Sequence, residues 1–134
     1  MKKLLFIIAC IFTIGLSSCT KQYLNPVTTN QTLYADIKPS DWALYTDNSG
    51  SQSYQVPINS NLIGSNIDGG IIVAISYDNG TTYEQLPEVY ANIAYSFTYN
   101  AGNVTIYAQT ANGAAPVQPT LPIKVKIILV DSIF

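Results

Sequence analysis

The chain contains no histidine and no arginine. Lacking histidine, it has neither the usual proton carrier near neutral pH nor the commonest transition-metal ligand. Lacking arginine, it has no planar fork to grip phosphate or carboxylate at two points. Charged residues are scarce, at 10% of the chain, and their balance is acidic. With so few cations, affinity for nucleic acid is excluded, because it rests on cationic contacts to phosphate. No glycine motif for cradling phosphate occurs; Gly69-Gly70 precedes an apolar run with no lysine following. Cysteine appears only as Cys10 and Cys19. No apolar run reaches the roughly 20 residues of a bilayer-spanning helix.

What is present at the start is a three-part leader. Lys2 and Lys3 are followed by the almost unbroken apolar run Leu4 to Leu16, then by small residues and a cysteine, Ser17-Ser18-Cys19. That is the layout of a secretory signal peptide. Leu16-Ser17-Ser18-Cys19 also resembles a bacterial lipobox. The resemblance implies cleavage between Ser18 and Cys19, diacylglycerol on the Cys19 thiol, and a further acyl chain (such as palmitate) on the new amine. Residues 1–18 are then a lipoprotein signal peptide. Their removal leaves 116 residues with four lysines against eight acids, a formal net charge of −4. A chain of that length is one domain that buries roughly two-thirds of its surface. Cys10 leaves with the leader and Cys19 carries lipid, so the mature chain forms no internal disulfide.

Residues 19–40 read as a lipidated tether, polar around Thr28-Thr29-Asn30-Gln31-Thr32. As a flexible coil of about 20 residues it would span on the order of 25 Å. Either it is a leash throughout, or its second half docks on the domain through Leu33, Tyr34 and Ile37.

From Asp41 onward the period is two. Alternation predicts strands over residues 42–45, 54–58, 71–77, 81–86, 93–99, 104–109 and 123–130. One helical turn is expected around Asn61-Leu62-Ile63, inside a loop. Asp78-Asn79-Gly80 and Asn100-Ala101-Gly102-Asn103 are turn signals, since Asn and Gly tolerate positive φ. About seven short strands in residues 41–134 predict an all-β, antiparallel two-sheet sandwich of immunoglobulin-like type, with a small closed barrel as the alternative. The expected inward set is Trp42, Leu44, Val73, Ile75, Ile93, Phe97, Val104, Ile106, Val125 and Ile127, with Tyr95 and Tyr99 on the same face as Ile93 and Phe97. Ile128 and Val130 of the last strand should point away from the core, where Lys124 and Lys126 mark the wet face.

The order Trp42, Gly69-Gly70-Ile71-Ile72-Val73, Leu86-Pro87, the Tyr/Phe strand, Gly102-Asn103-Val104-Thr105-Ile106 and the closing Lys-Val-Lys-Ile-Ile strand resembles a group of small Bacteroidetes-type lipoproteins. The resemblance covers most of residues 41–131. It implies an outer-membrane location and carries over no functional residues.

Little catalytic chemistry is left. Glu84 and Glu88 flank Leu86-Pro87 near Asp78, and a glycosidase needs two carboxylates facing each other across a sugar; nothing in the sequence makes them face each other, and surface solvation is the better account of these acids. Loops with Asp47, Asn48 and Ser49, or Asn66 and Asp68, offer oxygen ligands to calcium. Turn formation accounts for both loops without a metal. Asp131-Ser132-Ile133 resembles a three-residue O-glycosylation signal. Tyrosine is the unusual abundance: ten, all after Cys19. Its ring stacks on sugars and on protein partners, although β-propensity alone would also enrich it. Tyr45, Tyr83, Tyr90 and Tyr107 are the candidates for an exposed stacking role. The reading is a membrane-anchored, non-enzymatic lipoprotein with a binding or structural role and no cofactor or metal. Alternatives are a glycan-binding module of a polysaccharide uptake system and, further off, a small acid-residue hydrolase. The expected partners are the membrane, through the N-terminal lipid, and a glycan or an envelope protein.

Overall fold

The computed structural model describes residues 30–64 and 69–130. Among them the chain forms nine strands, and they build the expected all-β, antiparallel two-sheet sandwich. β1 (Gln31–Ile37), β9 (Ile123–Val130), β4 (Gly70–Ser76) and β5 (Glu84–Gln85) form one sheet in that order. β2 (Ala43–Thr46), β3 (Gln52–Asn59), β8 (Asn103–Thr110), β7 (Ile93–Asn100) and β6 (Glu88–Tyr90) form the other. The first and last strands pair in one sheet, Leu33 opposite Ile127 and Ile37 opposite Ile123. An immunoglobulin domain instead places those two strands in different sheets.

Alternation decides which side chains fill the space between the sheets. On β9, Ile123, Val125, Ile127 and Leu129 are buried while Lys124, Lys126, Ile128 and Val130 are half-buried on the outer face. Ile71, Val73 and Ile75 of β4 join them, as do Val104, Ile106 and Ala108 of β8 and Val56 of β3 across the sandwich. Burying each large aliphatic side chain contributes about 1.5–3 kcal/mol. The helical turn Asn61–Gly64 caps this core with Ile63, which is fully buried.

Three expectations are corrected. Gln31–Ile37 lies in residues assigned to the tether, but it is an edge strand of the domain, with Leu33, Ala35 and Ile37 turned toward the core. It therefore meets Ile128 side by side, through Thr32, rather than lying over it. The return strand expected from Thr81 is instead a loop followed by two short strands, one in each sheet, because Asp78 holds the chain in a wide turn. Its Oδ1 accepts from Thr81 N–H at 3.1 Å, Thr82 N–H at 2.8 Å and the Ser76 hydroxyl at 2.7 Å. Finally, Leu44 and Tyr99, assigned to the core, are 53% and 41% exposed. Leu44 lies on the sheet-edge strand β2, and Tyr99 near the end of β7, so both lie beyond the cover of the opposite sheet.

Pro57 lies within a strand that has neighbours on both sides. It is tolerated because the β2–β3 register ends at Ala43–Gln55. Beyond that point β3 is locally an edge, where a missing N–H costs no ladder bond.

Candidate functional site

The outer face of the five-stranded sheet brings two of the four candidate tyrosines together. Tyr45 of β2 pairs with Ser53 of β3, and Gln55 of β3 pairs with both Ala43 of β2 and Tyr107 of β8. All five side chains point away from the core by parity. Tyr45 and Tyr107 are two strands and one residue pair apart, about 12 Å between Cα atoms at ordinary strand spacing. They line one open groove of about 470 Å³ with Asp47, Ser51, Ser53, Gln55 and Gln109. A second groove of about 510 Å³ adjoins it, shares Ser51 and Gln109, and continues under the loop Ala111 to Pro116.

The polar groups on this face are held by local bonds. The Tyr107 hydroxyl is 3.0 Å from Thr98 Oγ1, Gln55 Nε2 donates to Ser53 Oγ at 3.1 Å, and Gln52 Nε2 donates to Thr46 Oγ1 at 3.3 Å. The Asp47 Oδ1 accepts from the Ser49 hydroxyl, the Ser49 N–H and the Ser51 N–H at 2.7–2.9 Å, closing the β2–β3 turn. Those bonds, the Ser49 hydroxyl first, hold its carboxyl below the usual carboxylate range. The carboxylate offered above as a calcium ligand is thus engaged by its own turn. Among the described residues no group of three or more His, Cys, Asp or Glu side chains is placed to hold a metal. The second calcium loop, Asn66 and Asp68, lies outside the described residues.

Tyr90 and Tyr83 are elsewhere. Tyr90 stacks on Tyr77, ring centroids 3.9 Å apart at 18°, and Tyr77 meets Tyr95 edge-on at 6.0 Å. Tyr83 is associated with the opposite sheet, its ring under Lys126 Nζ at 4.0 Å and 6.5 Å from the Tyr34 ring. Neither ring faces the groove. Ser18 and Cys19, the cleavage and lipid-attachment residues, and Asp131-Ser132-Ile133 lie outside the described residues.

A second cluster was legible in the sequence only as its two acids, without their tyrosine partner. Glu84 of β5 and Glu88 of β6, left to solvent above, are in hydrogen-bond contact, and the Tyr77 hydroxyl donates to Glu88 Oε1 at 2.7 Å. Desolvation first, then contact with Glu84, pushes the Glu88 carboxyl up to about 7. Burial and the bond to Glu88 raise the Tyr77 hydroxyl, and burial raises that of Tyr95 to about 12. Glycosidase carboxyls stand at least about 5 Å apart, with the sugar between them. Glu84 and Glu88 join the two sheets at their edges, since β5 and β6 belong to different ones.

The molecule is thus a small β-sandwich with one aromatic and amide-lined outer face. Comparison of the chain with protein-family models, with curated proteins and with solved structures finds no match.

Proposed function

We propose that this chain is a lipoprotein of the outer membrane, anchored through acylated Cys19 and without catalytic chemistry, and that the outer face of its five-stranded sheet is a ligand-binding surface. The observation that carries the binding role is the meeting of Tyr45 and Tyr107 in one open groove. Tyr45 keeps 52% of its surface exposed, on a sheet whose other face is already packed. The lipid anchor rests on the leader and the four residues ending at Cys19. The non-catalytic reading is supported by a chain without histidine or arginine.

Two measurements test this. Mass spectrometry of the mature protein should show Cys19 as the first residue with acyl mass added, and Cys19→Ala should leave the membrane fraction. A photoreactive diazirine residue replacing Gln109 in living cells should form an adduct, while the same residue replacing Ile72, on the opposite sheet, should not. An unacylated chain would remove the anchor from the reading. Equal labelling at the two positions, or none, would remove the binding face.

A further inference from the structure

We infer that the ligand of this face is an extended, neutral glycan, with Tyr45 and Tyr107 as stacking platforms for two sugar units and the Gln55 and Gln109 amides as hydrogen-bonding partners between them. The inference rests on the reading of that face as the ligand surface and assigns its chemistry.

Three observations converge on this class. The first is charge. Among the described residues lining the two grooves, Asp47 alone carries a charge, and its carboxylate is engaged by Ser49 and Ser51. No lysine lines either groove: Lys38 and Lys124 line a different cavity and Lys126 lies over Tyr83. An anionic polymer would find no cation here, and a cationic peptide would find a single carboxylate, one oxygen of which is already taken by its own turn. The second is polarity. The tyrosine groove is lined by amides, hydroxyls, two aromatic rings and Asp47, and the adjoining groove adds mainly glycine, alanine and proline; neither holds a large aliphatic side chain. A partner protein would bury a hydrophobic centre, and such a centre is missing. Sugars present hydroxyls around the ring edge and C–H groups on the ring face; amides serve the first as donor and acceptor, and a tyrosine ring covers the second. The third is shape. The two grooves run into each other at Ser51 and Gln109 and lie open to solvent. A small molecule is usually enclosed on most sides, whereas a trough that continues beyond the tyrosine groove at Ser51 and Gln109 fits an extended chain. Gln55 and Tyr107, already held by Ser53 and Thr98, need little ordering on binding.

The test is affinity electrophoresis of the full mature lipoprotein in detergent, through native gels containing a neutral polysaccharide (a soluble β-glucan, a xylan, a galactomannan or starch) or the anionic polygalacturonate. At least one neutral polymer should retard the protein and polygalacturonate should not. Tyr45→Ala and Tyr107→Ala should each weaken the retardation about tenfold, the scale of one lost aromatic contact. Tyr107→Phe should keep most of the binding, and Tyr83→Ala should keep all of it. Unchanged melting temperatures would separate lost binding from lost folding. Retardation by none of the neutral polymers overturns the glycan assignment, as does retardation that survives both alanine substitutions. The diazirine adduct at position 109 then tells the two readings apart. An adduct with a protein, without retardation by glycans, keeps the binding face and discards the glycan. Neither adduct nor retardation discards both.

Discussion

Glu88 keeps its proton to about pH 7 because it is withdrawn from water and touches Glu84. A carboxyl raised in the folded state stabilises the fold fully below its unfolded value, near 4.5, and that stability is lost as pH rises through about 7. Asp78 works in the opposite direction. The Thr82 N–H first, then the Ser76 and Thr82 side chains, lower it to about 2, so its contribution is present above its ordinary 3.8 and is lost as pH falls toward 2. The melting temperature should therefore peak near pH 4 to 5 and fall as pH rises to about 7. Glu88→Gln keeps an acceptor for the Tyr77 hydroxyl and removes the charge. It should raise the melting temperature at pH 8 and flatten the decline between pH 5 and 8. An unchanged slope in calorimetry would show that Glu84 and Glu88 do not interact as placed. The acids themselves were visible in the sequence as a pair four residues apart. Their contact was not, because it depends on Leu86 and Pro87 carrying the chain from one sheet to the other. Phe97 shows the same limit. Alternation put it on the inner face, correctly, but it is only partly buried and stacks against Tyr99 rather than filling the centre. Ile106, fully buried, is the better probe: Ile106→Ala should cost about 2–5 kcal/mol, and Phe97→Ala less, by urea denaturation.

At the level of elements, the strand that alternation missed is β1. Its sequence Gln-Thr-Leu-Tyr-Ala-Asp-Ile does alternate, but it follows a polar stretch and contains an inward alanine. What makes it a strand is its partner. β9 is apolar on its inner face along its whole length, and without β1 its edge would expose unpaired backbone groups. Such pairing is a long-range fact, joining residues about ninety positions apart, and a local pattern carries little of it. The contribution of β1 should come from its inner face. Ile37, 2% exposed, fills the core, so Ile37→Ala should cost about 2–5 kcal/mol. Tyr34, 61% exposed, should tolerate alanine within about 0.5 kcal/mol. The Asp36–Lys124 ion pair, at 2.6 Å but with Asp36 72% exposed, should contribute little, since solvent and salt screen it. Deleting residues 21–38 removes the whole strand, so the shortened protein should melt earlier and self-associate in sedimentation through the uncovered β9 edge. Monomeric, equally stable behaviour would mean that β1 is dispensable. The expected strands over 42–45, 54–58, 71–77, 93–99, 104–109 and 123–130 correspond to β2, β3, β4, β7, β8 and β9, and β4 was legible as an apolar run bounded by turn residues rather than by alternation.

The strand registers also fix how an anchored molecule would present its groove. β1 begins at Gln31, opposite Leu129, at the end of its sheet where Gly70 pairs with Val130. The chain between Asn59 and Gly70 links that end to the Asn59–Asn103 end of the other sheet, where Ser60 N–H donates to the Gly102 carbonyl at 3.0 Å. The opposite ends meet through Tyr77, just past β4, whose ring stacks on Tyr90. Tyr90 pairs with Ile93, and Ile93 with Thr110. The turn at Asp47 and the loop after Thr110, which bound the two grooves, therefore lie a strand length from the tether, about 25 Å for an eight-residue strand. Under the proposed anchor at Cys19, the expectation is that the groove faces outward and the Asn100–Asn103 turn faces the lipid. Under the proposed signal cleavage and acylation the mature chain has no free thiol, so a single introduced cysteine can carry a fluorophore. In proteoliposomes doped with spin-labelled lipid headgroups, a probe at Ala101→Cys should be quenched several times more strongly than one at Asn48→Cys. Equal quenching at the two positions would mean that the tether lets the domain tumble freely. Stronger quenching at Asn48→Cys would turn the groove toward the membrane, where an extended polymer has no room to lie across it.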